Sequence, residues 1–312
     1  MEEMLVRGGF REEELAGWKV SEKQKKIWNI EMIIAKELLR VCKKHNLFII
    51  AGFGTQLGAV RHDGFIPWDD DMDFLMPRKD YEKLCELADE FEDPFFLQTT
   101  KTEHGHWFRG MARVRYTPST CINPLDTDNT ECNNGIFVDI MPLDTPPAPG
   151  RKLAMKLHRM RVVGLKKATL RKLYSKYYKT YRGKKEKLYG IIFALIRHGR
   201  SIEKLSDDYD RLCAKYNKAG ENRYRVISFN YEKGGRFDFE YTKDELRPRM
   251  WHTFEHMKVP ISQNYDAFLK RTYSDSYMEF PPMEDRVAQD KNVVDPDIPY
   301  REYMQKMQFT EE

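Results

Sequence analysis

Residues 54–81 read GTQLGAVRHDGFIPWDDDMDFLMPRKDY. At the centre, WDDDMDF (Trp68–Phe74) puts four acidic residues within five positions, between apolar neighbours. Carboxylates that close repel one another, and burying them without partners is costly. On an extended chain, residues two apart share a face, roughly 6–7 Å apart at their bases. Asp71 and Asp73 are so placed, and Met72 and Phe74 then turn toward a core. A D-x-D pair on a buried strand is poor structure but a good ligand pair. A hard divalent cation accepts carboxylate oxygens and reverses the repulsion. The plainer alternative is an exposed acidic turn leading into a helix at residue 78.

Working outward, residues 21–46 carry Ile27, Ile30, Ile33, Ile34, Leu38 and Val41 at three- and four-residue steps behind Ser21, which predicts a capped amphipathic helix. LFIIAG (47–52) is then a short buried strand. FGTQLGAVRH turns out of it into a helix, and RKDYEKLCELADEF (78–91) is a second helix with an apolar stripe. Strands are expected at WFRGMARVRY (107–116), at GIFVDIMPL (135–143) and again within residues 223–241. Asp139 is the only charge in the apolar run Ile136–Met141, so it needs a partner, either an ion pair or a cation shared with the D-x-D.

A Gly-rich turn between strand and helix offers backbone N–H groups to phosphate, which points to Gly54 and Thr55. Strand, G-[ST] turn, helix, D-x-D strand and a later strand with one Asp form the nucleotidyltransferase-fold order. Arg61, His62, Arg113 and Arg115 are candidates for neutralising phosphate, the last two on one strand face. Pairing with the acids or with solvent is the alternative for each. The expected class is α+β, a nucleotidyltransferase-type mixed sheet flanked by helices, with a basic helical insertion.

The chain has 312 residues, 41% apolar and 33% charged, which excludes a disordered polymer. No apolar run approaches the ~20 residues of a membrane span, and the acidic N-terminus has no signal-type apolar stretch, so a cytoplasmic protein is expected. The five cysteines form no C-x-x-C pair. Cys121 and Cys132 with His104 and His106 fit no standard zinc spacing. The net charge of +4 hides an asymmetry: residues 151–200 hold 17 Lys/Arg against one acid, Glu186. The expected division is an N-terminal extension (1–20), a catalytic core (21–150), a basic helical segment (151–220) and a C-terminal part that completes the core domain (221–312).

The long blocks carry a specific resemblance. GTQLGAVRHDGFIPWDDDMDFLMPRKDYEKL resembles the hallmark block of the LicD family, the phosphocholine-transferase group to which fukutin and the fukutin-related protein are similar. LLRVCKKHNLFIIAG, GIFVDIMPLDTPP and VPISQNYDAFLKRTYSDSYMEFPPMEDR resemble its helix-and-strand lead-in, its third-carboxylate strand and its YGDYM-x-x-PP-x-x-x-R block. The likeness spans roughly residues 25–290. Phe53 stands where the family usually has glycine, Gln56 where it has leucine, Ser274 at the glycine of YGDYM and Gln289 at a frequent histidine.

The resemblance implies transfer of a phospho-alcohol, such as phosphocholine or ribitol phosphate, from a CDP-activated donor to a hydroxyl of a cell-surface glycan, with release of CMP. The acceptor would be a lipid-linked glycan, a lipopolysaccharide or a teichoic-acid precursor, met at the inner face of the membrane. Asp71, Asp73 and Asp139 would be the catalytic and metal-binding set for Mg²⁺ or Mn²⁺, with Asp70 in support. Gly54, Thr55, Arg61, His62, Arg113 and Arg115 would bind substrate. The segment 151–200 suits peripheral contact with the membrane or a solvated helical pair, and nucleic acid is disfavoured. The competing activity is nucleotidyl transfer to a small molecule or RNA, which releases pyrophosphate; the third reading is a non-catalytic glycan-binding module.

Overall fold

The computed structural model describes residues 4–123, 131–174, 195, 199–218, 222–228, 239–286 and 292–310. A small hairpin, β1 (Glu13–Leu15) and β2 (Trp18–Val20), leads into helix α1 (Glu22–Lys44). Ser21 Oγ accepts from the Gln24 N–H, so the cap foreseen at Ser21 starts this helix. There follow β3 (Ile50–Ala51), α2 (Phe53–His62), β4 (Asp73–Pro77), α3 (Arg78–Cys85), β5 (Phe95–Gln98), β6 (Ala112–Tyr116), β7 (Thr120–Ile122), β8 (Ile136–Leu143) and the basic helix α4 (Lys152–Leu173). Much of the rest of the basic segment, residues 175–194 and 196–198, lies outside the described residues.

The central sheet has the order β3-β4-β8-β6-β5, and only β4 and β8 run parallel. This mixed sheet between helices is the expected α+β class. Its register decides the site: Asp73 lies opposite Asp139, Asp139 opposite Arg113, and Arg113 opposite Gln98. Paired residues share a face, so the two acids and Arg113 form one row.

Period-two alternation then divides the interior. Phe74, Met76, Val138, Ile140 and Val114 turn to the side packed on Trp28, Ile34, Leu38 and Val41 of α1. Leu75, Met141 and Leu143, on the acid-bearing face, pack on Phe53 and Leu57 of α2 and on Phe268 and Leu269 of the helix Tyr265–Tyr273. The C-terminal stretch also lays a hairpin, Arg249–Phe254 with Met257–Ser262, near β3. Gln56 Oε1 accepts the Ser262 N–H at 3.0 Å, which ties that hairpin to α2. Arg78, at the start of α3, holds Asp144 at 2.9 and 2.6 Å and Asp210 at 3.0 Å. This buried clamp joins β8 to the helix Ile202–Cys213.

Candidate active site

One edge of α2, the acidic turn and a C-terminal segment enclose a cleft of about 400 Å³. Phe53, Gly54, Leu57 and Arg61 line it from α2, Asp69, Asp71 and Asp73 from the floor, and Tyr273 to Pro282 from the opposite wall. The strand begins only at Asp73. Asp69 donates its N–H to Ile66 O at 2.9 Å, which closes a turn over Ile66–Asp69, and Asp70 to Met72 lie between that turn and the strand. Carboxylate oxygens of Asp69, Asp70 and Asp71 all approach within 4.8 Å of one another. Asp71 reaches solvent, but only from a cleft floor walled in by protein. That burial, and then the charges of Asp73, Asp69, Asp70 and Asp139, hold its carboxyl well above the usual range.

Asp73 is fixed by backbone: its N–H donates to Thr55 Oγ1 at 2.8 Å and its carbonyl accepts the Gly52 N–H at 2.8 Å. Thr55 is buried and grips the acid strand, whereas Gly54 lies in the cleft wall itself. A Cβ on Gly54 would stand 2.3 Å from Asp69 Oδ2, so the missing side chain is what lets that carboxylate rest on α2. Asp139 is held by Arg113, with Nε to Oδ1 at 2.6 Å and a second nitrogen to Oδ2 at 3.4 Å. The Arg113 guanidinium also stacks on Phe137, 3.6 Å from the ring centre. Arg115 shares its strand face but is fully buried. It donates to Gln98 Oε1 at 2.6 Å and to Gly135 O at 2.5 Å, bonds that hold loops together outside the cleft lining.

Arg61 donates to the carbonyls of Tyr277 and Glu279 at 2.9 and 3.0 Å, so it pins the far wall to α2. Its Nε donates to His62 Nε2 at 3.0 Å. His62 therefore presents an acceptor, which places its proton on Nδ1. Burial, aided by Arg61, Arg286 and Arg7, depresses this imidazole to about 4, so it is neutral near pH 7. Its ring stacks on Phe280 at 5.3 Å, outside the cleft lining. Arg286 stacks over Trp68 at 4.6 Å and donates to the carbonyls of Pro281 and Ala16. Two guanidiniums thus flank one aromatic cluster at the cleft edge, bonded to carbonyls.

Sequence reasoning placed Asp71, Asp73, Gly54 and Arg61 at what is this cleft. It passed over Asp69 and the Tyr273–Pro282 wall as site residues. For the wall a signal existed, because the PP-x-x-x-R block lies in the same run. Phe53 and Ser274 both line the cleft with φ of +36° and +102°, the left-handed side that glycine prefers. These are the two glycine-like positions of the resemblance that carry side chains here.

Residues 48–147 match the family model described as LicD/FKTN/FKRP, nucleotidyltransferase domain. That matched stretch holds β3 to β8, hence every acid of the site and Arg113. The chain is also similar to the lipopolysaccharide cholinephosphotransferase LicD of Haemophilus influenzae. The two are 24% identical over 247 residues, which covers 79% of this chain and 88% of that protein. The similarity thus extends past the stretch that matches the family model.

Proposed function

We propose that the chain is a phosphotransferase for substituted phosphate groups, moving a phospho-alcohol from a CDP-linked donor to a hydroxyl of a glycan. The observation that carries this reading is the cleft itself. Asp69, Asp71 and Asp73 make its floor, Asp139 lies beside Asp73 on the paired strand, and an arginine-pinned aromatic wall faces the floor. A diphosphate donor carries negative charge, so an acidic floor suits it only through a cation. The donor set is oxygen only, and burial together with the neighbouring acids raises Asp71, which fits Mg²⁺ or Mn²⁺. Asp71 and Asp73 would hold the ion, with Asp69 or Asp70 within reach. Such an ion would neutralise the diphosphate and stabilise the leaving CMP.

The acceptor oxygen attacks the phosphorus that bears the alcohol. The bond from that phosphorus to the oxygen of CMP breaks, and CMP departs with the electron pair. The acceptor proton passes to a carboxylate, and Asp139 is assigned that role. Arg113 orients it. Arg61 and the N–H groups at the start of α2 face the phosphates. The acceptor is read as a lipid-linked glycan.

Asp73→Asn tests the assignment. Turnover of CDP-choline or CDP-ribitol with Mg²⁺ should fall about 10³-fold, in line with losing several kcal/mol of charge stabilisation. Unchanged turnover of every CDP-alcohol refutes the catalytic role. Release of pyrophosphate in place of CMP turns the reading to nucleotidyl transfer.

A further inference from the structure

Helix α4 has two faces with different demands. Its inner face buries His158, Val162, Leu165 and Thr169, and packs with Leu205, Tyr209 and Cys213 of the helix Ile202–Cys213. His158 Nε2 lies 2.8 Å from Leu212 O. The helix is thereby anchored, and its first turns present the opposite face to solvent, whereas Gly164, Lys167 and Ala168 further along that side are buried. That outer face carries Leu153, Leu157 and Met160 in one row, at steps of four and three. Leu153 is 69% exposed and Leu157 39%. Lys152 and Lys156 flank the row on one side and Arg161 on the other, all exposed. The chain has no acid between Asp144 and Glu186, and the exposed Leu195 (70%) belongs to the same basic segment.

We propose that this outer face of α4 docks peripherally on an anionic lipid surface. Basic side chains would meet lipid headgroups, and the leucine row would enter the interface between headgroups and acyl chains. Charge selects the occupant. A second copy would set like-charged faces together, which electrostatics opposes. A nucleic acid or a soluble polyanion would satisfy the lysines but leave three apolar side chains in water. Among the described residues no helix is long and apolar enough to cross a membrane, so contact here is of the kind that lies on the surface.

The experiment is co-sedimentation of the full chain with vesicles of phosphatidylcholine alone or with about a third phosphatidylglycerol, at low and high salt. It reads binding without turnover, so it can fail while the transferase reading stands, and the reverse. Retention on the anionic vesicles, weak on the neutral ones and reduced by salt, is expected. The exchange Lys152→Glu with Lys156→Glu and Arg161→Glu should weaken it about a hundred-fold, at about five-fold per basic side chain. Leu153→Asp with Leu157→Asp should weaken it about ten-fold or more, and Leu153→Ser with Leu157→Ser less. These side chains are exposed, and circular dichroism should stay unchanged in all variants. Equal retention on both vesicle types, no retention, or indifference to the leucine exchanges overturns the proposal. So does stronger binding to polyphosphate or single-stranded RNA that survives those exchanges.

Discussion

Gly54 and Gly58 sit on the same helix, and adding one methyl group to each should have opposite consequences. At Gly54 the new Cβ would stand 2.3 Å from Asp69 Oδ2, the far end of a rotatable side chain. Ordinary contact begins near 3.4 Å, so the carboxylate must retreat by about 1 Å. The fold can absorb that, and alanine favours the helix over glycine by about 0.5–1 kcal/mol. A shift of about 1 Å in a group on the cleft floor is worth about 10²-fold in rate. Gly54→Ala should therefore keep or slightly raise stability in urea unfolding while kcat/KM with the CDP-alcohol falls about a hundred-fold. At Gly58 the Cβ would stand 2.4 Å from the carbonyl oxygen of Gly64 and 3.4 Å from the Ile66 nitrogen. Both are backbone, and the overpacking costs about 1–3 kcal/mol. Gly58→Ala should lose stability first. Full activity in Gly54→Ala, or activity lost only in step with unfolding, would refute the argument that this glycine exists to seat Asp69.

Three further outcomes are expected. Arg78→Met strands the fully buried Asp144 and removes a partner of the half-buried Asp210, and chemical denaturation should report a loss of about 3–5 kcal/mol. The fold holds His62 near 4 against an ordinary value of about 6.5, so the unfolded chain binds its proton first. Its contribution is full above about pH 6.5 and declines as the pH falls toward 4. Unfolding at pH 7.5, 6 and 5 should show His62→Gln losing about 2 kcal/mol of this acid sensitivity relative to the parent, and equal slopes would exclude it. Ser274→Gly removes a side chain from a backbone at φ +102°. Net of the extra entropy of glycine when unfolded, thermal melting should show a gain of about 1 kcal/mol, and a loss would mean that the Ser274–Ser276 hydroxyl contact matters more than the strain.

The acid motif was legible because its flanks obey short-range rules. Met72 and Phe74 do enter the core, α1 and α2 fall where periodicity and turn chemistry place them, and β8 spans nearly the whole expected strand. At the acids the strand starts only at Asp73; Asp69, Asp71 and Asp73 line the cleft, and carboxylate oxygens of Asp69, Asp70 and Asp71 lie within 4.8 Å of one another. The helix expected over 78–91 stops at Cys85 and gives way to a short 3-10 turn, and the strand expected from Trp107 begins at Ala112, after a turn at Gly110. A Cβ at Gly110 would meet Tyr209 at 2.7 Å, a tertiary contact with no local trace. β5 and the hairpin at 249–262 were missed for the same reason: what they bury against comes from elsewhere in the chain.

Register explains what composition could not. Arg113 and Arg115 share a face, as spacing alone requires, yet one side chain reaches Asp139 and the other closes loops in the interior. The difference arises one strand away, because Asp139 lies opposite Arg113 and Phe137 opposite Arg115. That same register leaves the floor unbalanced. Asp69, Asp71 and Asp73 line the floor with Asp70 and Asp139 close by, Arg113 pairs with Asp139 alone, and Arg61 and Arg286 stand at the cleft edge on backbone carbonyls. Crowded carboxylates repel one another, and the guanidiniums at the edge are held by neutral carbonyls rather than by acids. In the proposed reading a cation below and a phosphate above would answer both charges at once, which is the ground for proposing a metal-bound diphosphate over either a bare cation or a bare anion.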